Sequence, residues 1–409
     1  MPAIVEPDGD TPYPHPAPGL PGSARYDFHE RTVSRHLVHR SSVAEVLITG
    51  WQATGPYDFL LGAQWPRLHG FYRLPGDRHH DPVLMAETIR QAALLVGHVG
   101  FGVPHDHHYA LDELSYALGP AGLDGLAVTA APASLMLRVG CQDVRMRHGR
   151  LGALRVHVEI ERDGRPVGRG SGELRVLSPA SYARLRGPGR PASPPRPPES
   201  STAPELVGRQ QAADVVLGPS LLPGSWLLRA DADHPVLFDR MDPTPDHVPG
   251  MLVLEAARQA AQRLCHPARV VPVELVTSFH DHIALDRPCL VRAVREPVPE
   301  PGHRAADGAG PGAGTGAGPR SALGAAQETA QGAGGESGSG GRATAPNGER
   351  RVPVRVLLVQ DGRTVAECRL LTGRADGGPP AVGAAPDSRD AVDARPGGAD
   401  RGRGLPLAS

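Results

Sequence analysis

From Leu37 to Ile48 the chain reads LVHRSSVAEVLI, apolar at both ends with polar residues between, and after a long loop the stretch from Val83 towards Gly97 is apolar on nearly every side. That density predicts a buried helix, with Asp81 as its N-cap and Pro82 in the first helical position. Strict alternation follows: Val156, Val158 and Ile160 are separated by polar residues, the period of a half-buried strand. The dipeptide Asp163-Gly164 then predicts a tight hairpin turn. The same order returns further on, where Pro249-Gly250 opens a second apolar helix, Pro267 closes it, and Asp361-Gly362 marks another hairpin.

This return is an internal repeat. LVHRSSVAEVLI at 37–48 matches LVGRQQAADVVL at 206–217, an offset of 169. Glu87, Arg90 and Gln91 recur as Glu255, Arg258 and Gln259 at an offset of 168, and His79 and His247 each stand eight residues before the glutamate. The Asp-Gly-Arg turns are offset by 198, so the second copy carries about 30 extra residues, consistent with a net insertion in its Gly/Ala-rich stretch. A mostly apolar helix is best buried by an antiparallel sheet wrapped around it, so the expected class is α+β, a tandem hot-dog. The expected layout is a disordered tail at 1–25, a first domain at 26–187, a Pro-rich linker at 188–204, a second domain at 205–374 with a disordered insertion near 300–347, and a disordered tail at 375–409. The two copies are expected to pack as an intramolecular pseudo-dimer.

Composition narrows the classes of function. The net charge is -1 and all the cationic side chains are arginines spread through the chain, which argues against a nucleic-acid or membrane-binding face. Cys141, Cys265, Cys289 and Cys368 form no CxxC pair, so neither a zinc site nor a disulfide framework is indicated, and no cofactor is expected. The acidic start and the lack of a long apolar run point to a cytoplasmic protein.

Candidate chemistry lies on the helices. Positions i, i+3 and i+4 share a helix face, so Glu87, Arg90 and Gln91 converge, as do Glu255, Arg258 and Gln259. A charge on an otherwise apolar helix must be paired or put to use. His247, just before the second helix, is a candidate acid, base or hydrogen-bond donor. Gly250 at the helix start would let a substrate carbonyl approach the free backbone amides. The run His105-Asp106-His107-His108 has no distant partner pattern and reads as a loop feature, not as a metal site.

Several of these segments resemble the A-factor biosynthesis family: His39-Arg40 through Leu47, Ala63-Gln-Trp-Pro-Arg67, Ala86 to Ala92 and Phe101-Gly-Val-Pro104 in the first half, and His234-Pro235, Phe238-Asp239 and Asp246 to Gln259 in the second. The resemblance implies a tandem hot-dog acyltransferase that takes a β-ketoacyl chain from acyl carrier protein and esterifies dihydroxyacetone phosphate, on the way to a γ-butyrolactone signal. In that setting Glu255 would be the general base and Arg258 would hold Glu255 or the phosphate, with Glu87 and Arg90 as their counterparts. Gln259, Gln91, His247 and Gly250 would contact substrate. The second half keeps the Pro-Gly then Leu-Glu-Ala order of hot-dog dehydratases but lacks their upstream histidine spacing, since His234 is too far from Glu255 and His247 too near. A dehydratase or thioesterase, or a non-catalytic acyl- or lactone-binding module, stands as the alternative.

Overall fold

The two apolar stretches are helices because their burial outweighs every local preference around them. The first, α1 (Val83–Phe101), is buried from Val83 to His98 at every position but Arg90, and its opening amide on Val83 bonds the Asp81 side chain at 3.0 Å. It runs past Gly97 to Phe101. Gly102, at a left-handed φ of 62°, closes it, with its amide on the His98 carbonyl and that of Val103 on Gly97. The structure is a computed structural model that describes residues 27–186, 200–231, 233–239, 247–297 and 351–375. The expected N-terminal tail, the insertion, the linker up to residue 199 and the C-terminal tail after Ala375 lie outside the described residues.

In the first half the strands are β1 (Ile48–Ala53), β2 (Asp58–Trp65), β3 (His108–Leu118), β4 (Ala133–Arg147), β5 (Arg150–Arg162) and β6 (Arg165–Leu177), followed by the short helix α2 (Pro179–Arg186). The second half has β7 (Leu217–Gly218), β8 (Ser225–Leu228), the helix α3 (Gly250–Cys265), β9 (Val270–Phe279), β10 (Cys289–Arg295), β11 (Val352–Gln360) and β12 (Arg363–Arg374). Both Asp-Gly turns are as expected, with Asp163 and Gly164 at φ 51° and 71° and Asp361 and Gly362 at 51° and 73°.

Among the described residues the strands form one antiparallel sheet in the order β1-β2-β4-β5-β6-β3-β9-β12-β11-β10-β8-β7. Read from either end, the order is that of one half. The halves join where β3 pairs with β9, from Glu113 opposite Ser278 to Ala117 opposite Glu274. Helix α1 packs on β3, β5 and β6, and α3 on β9 to β12. The approach of α1 depends on Gly170 in β6: a Cβ there would lie 2.1 Å from the Ser115 carbonyl oxygen and 2.5 Å from Ile89 Cδ1. No described helix is long and apolar enough to cross a membrane.

Candidate functional site

The polar trios sit at the hearts of the two halves. The Glu87 carboxylate accepts from Arg40 Nε (3.1 Å), Arg90 Nε (2.9 Å) and Nη2 (2.8 Å), and Gln91 Nε2 (2.7 Å). Glu255 repeats the pattern with Arg209 Nε (2.8 Å), Arg258 Nε (2.9 Å) and Nη2 (2.8 Å), and Gln259. Burial alone would raise both carboxyl pKa values, but two guanidiniums on each outweigh it and hold Glu87 and Glu255 at about 2. The glutamines brace backbone. Gln91 bonds the Leu47 amide and the Glu45 carbonyl, and Gln259 the Val216 amide and the Asp214 carbonyl, so each ties its helix to the turn leading into β1 or β7.

Arg40 and Arg209 also cross between the halves. Arg40 Nη1 donates to the Val236 and Asp239 carbonyls of the second half, and Arg209 Nη1 to the Phe71 carbonyl of the first. Arg209 further stacks on the Phe71 ring, 4.1 Å from its centre. With these bonds Arg40 is fully engaged. Arg90 is not: its Nε and Nη2 are held by Glu87 and the Val38 carbonyl, while Nη1 bonds nothing among the described residues.

Arg90 borders a cavity of about 620 Å³ between the halves. The first half contributes His39, Arg40, Leu94, Tyr109 and Leu111, and α2 adds Tyr182. The second half contributes the start of α3, from His247 to Met251, together with Val253, Phe279 and His282. The backbone amides of Gly250 and Met251 are the first of α3 and have no acceptor among the described residues, so a helix N-terminus opens onto the cavity. A Cβ on Gly250 would meet Phe279 and Leu111 at 3.4 and 3.5 Å, ordinary contact. His247 Nδ1 lies 3.4 Å from the Tyr182 hydroxyl, its ring against His282. Deeper in, His39 Nε2 and His98 Nε2 are 2.9 Å apart and His98 Nδ1 donates to the Val103 carbonyl; burial lowers their pKa values to about 3 and about 4, so both rings are neutral.

Of the residues singled out in the sequence, Arg90, His247 and Gly250 therefore meet at one cavity. Glu87 lies behind Arg90, out of reach of it. Glu255, Arg258, Gln259 and Gln91 are buried elsewhere, the glutamate and the glutamines bonded to protein and Arg258 held through its Nε and Nη2. The sequence reading missed Arg40 and Arg209, although both recur inside the 37–48 and 206–217 repeat it identified. It also gave no role to Tyr182. No three His, Cys, Asp or Glu among the described residues are arranged to hold a metal ion, and all four cysteines are buried free thiols.

The chain is 42% identical over 268 residues to a 2-oxo-3-(phosphooxy)propyl 3-oxoalkanoate synthase of Streptomyces virginiae, covering 66% of this chain and 88% of that protein. A synthase of the same name from Streptomyces griseus is 39% identical over 266 residues, covering 65% and 86%. Among solved structures, the 12:0-ACP thioesterase from Umbellularia californica overlays with a TM-score of 0.40 at 9% identity, covering 76% of this chain and 93% of that one. Residues 23–178 and 192–306 match the A-factor biosynthesis hotdog domain, and the chain, a tandem hot-dog protein, belongs to that family.

Proposed function

We propose that this chain transfers a β-ketoacyl group from acyl carrier protein to the hydroxyl of dihydroxyacetone phosphate, in the cavity between two halves arranged as an intramolecular pseudo-dimer. The observation that carries the reading is that a helix start with open amides and an arginine with a spare nitrogen face one cavity from opposite halves. The name of the curated relatives joins a 3-oxoalkanoate to a 2-oxo-3-(phosphooxy)propyl group, the pieces this reaction unites. Apolar walls at Leu94, Leu111, Val253 and Phe279 suit an acyl chain.

In this reading the α3 amides polarise the thioester carbonyl and Arg90 takes the phosphate, for which a planar guanidinium is well shaped. The hydroxyl oxygen attacks the carbonyl carbon, the C–S bond breaks, and the proton passes by way of His247 to the departing thiolate. Glu87 is a positioning residue that aims Arg90. Glu255, placed by the sequence as the base, is a poor proton acceptor at a pKa of about 2 and lies away from the cavity, so its role here is to fix Arg258 and Arg209.

The test is incubation of the purified chain with β-ketoacyl thioesters of several lengths, with and without dihydroxyacetone phosphate, the ester being read by mass spectrometry. Ester is expected only with the phosphorylated alcohol, and little from His247→Ala. Thioester consumption at the same rate without the alcohol would mark a thioesterase or dehydratase instead.

A further inference from the structure

The repeat places a second set of the same parts on the other side of the molecule: Arg258 stands for Arg90, Arg209 for Arg40, and the start of α1 for the start of α3. At the offset of 168, Val83 answers to Met251, Pro82 to Gly250 and Asp81 to Pro249. The two assemblies differ at the helix start. Where α3 has a proline and open amides, α1 has a carboxylate that fills the same place.

Asp81 is fully buried, its Oδ1 bonded to the Val83 amide at 3.0 Å. Its Oδ2 has no hydrogen-bond partner, yet lies 3.7 Å from Arg209 Nη2 and 3.6 Å from Arg258 Nε. One oxygen on the first helical amide and the other towards an arginine pair is how a bound oxyanion would sit. The arginine side chains record the difference, with Arg90 19% exposed to its cavity and Arg258 2% exposed. Tyr116 is buried close to these groups, its hydroxyl donating to the Pro272 carbonyl at 3.1 Å.

We infer that Asp81 is a built-in anion that occupies and silences the second of two equivalent oxyanion sites, leaving the chain with one working site, at Arg90 and α3. This rests on the proposed role of Arg90 and the α3 start in binding the phosphorylated substrate. It makes Asp81 the residue that decides which half binds.

Calorimetry with dihydroxyacetone phosphate tests the count of sites. The wild-type chain should bind one molecule, and Arg90→Ala none. Asp81→Ser keeps a side-chain acceptor for the Val83 amide while removing the carboxylate, and should bind two. Asp81→Asn fills the space without charge and should still bind one. Two molecules on the wild type, or no second site in a folded Asp81→Ser variant, would overturn the inference. If the wild type bound none, the reading of the Arg90 site would fail; inorganic phosphate would then probe Asp81 alone, and a thermal shift by phosphate in Asp81→Ser absent from the wild type would support the plug, an equal shift in both refuting it.

Discussion

At the scale of single residues, chemically identical side chains have different fates. Arg90 and Arg258 sit on the same helical register beside equivalent glutamates, Glu87 and Glu255, yet one borders a cavity and the other is sealed. Arg90→Ala should therefore raise the KM for dihydroxyacetone phosphate, a charged hydrogen bond of about 1.5–3 kcal/mol corresponding to roughly a 10- to 100-fold rise, and it should also lower the melting temperature, because the buried Glu87 carboxylate loses two of its donors. Steady-state kinetics at saturating thioester would show it. The pH dependence of stability follows from the buried groups. His39, His80 and His98 stay neutral in the fold, with pKa values of about 3, 4 and 4, while the unfolded chain takes up protons below about 6.5, so stability should begin to fall there. Glu87 and Glu255, depressed from 4.5 to about 2, add a steeper loss as pH falls through that window. Asp81, raised chiefly by burial, opposes it. Urea midpoints measured from pH 8 to 3 should show both stages, and His39→Asn with His98→Asn should flatten the first. The trios could be read from spacing alone because i, i+3 and i+4 must share a face. That they would be buried, each with a further arginine from a distant turn, depends on tertiary contacts that no local spacing encodes.

At the scale of elements, the helices and hairpins were legible because burial and turn chemistry act within a few residues. The helix α1 runs on past Gly97, and that glycine is needed inside it to make room for Tyr109, whose hydroxyl would be 2.4 Å from a Cβ there. Two substitutions separate glycines that pack from one that faces the cavity. Gly170→Ala drives a Cβ into the Ser115 carbonyl and Ile89, and should destabilise the first half by at least about 1–3 kcal/mol, seen as a lower melting temperature. Gly250→Ala meets only ordinary contacts, so the melting temperature should hold while ester formation falls as a methyl group intrudes on the approach to the α3 amides. Equal activity in the alanine variant would show that no substrate comes close there.

At the scale of the whole molecule, the sequence repeat foretold the two halves but not the β3–β9 seam, since strand partners across such a separation leave no periodic trace. That seam and the crossing bonds of Arg40 and Arg209 should make the halves interdependent. Expressed as separate chains cut within 187–199, they should associate, and two stable monomers on gel filtration would contradict this. The insertion should be dispensable, because β10 and β11 already meet at Arg295 and Val354 and a shorter connection lowers the closure entropy cost. Removing 300–347 should leave the melting temperature unchanged or slightly higher. The differing helix starts, Asp81-Pro82 and Pro249-Gly250, carry a consequence for ancestry. In a dimer of identical subunits any mutation at such a position strikes both sites at once, so losing one means losing both. Duplication and fusion within a single gene remove that constraint, and a single codon can then retire one site while its sibling keeps working.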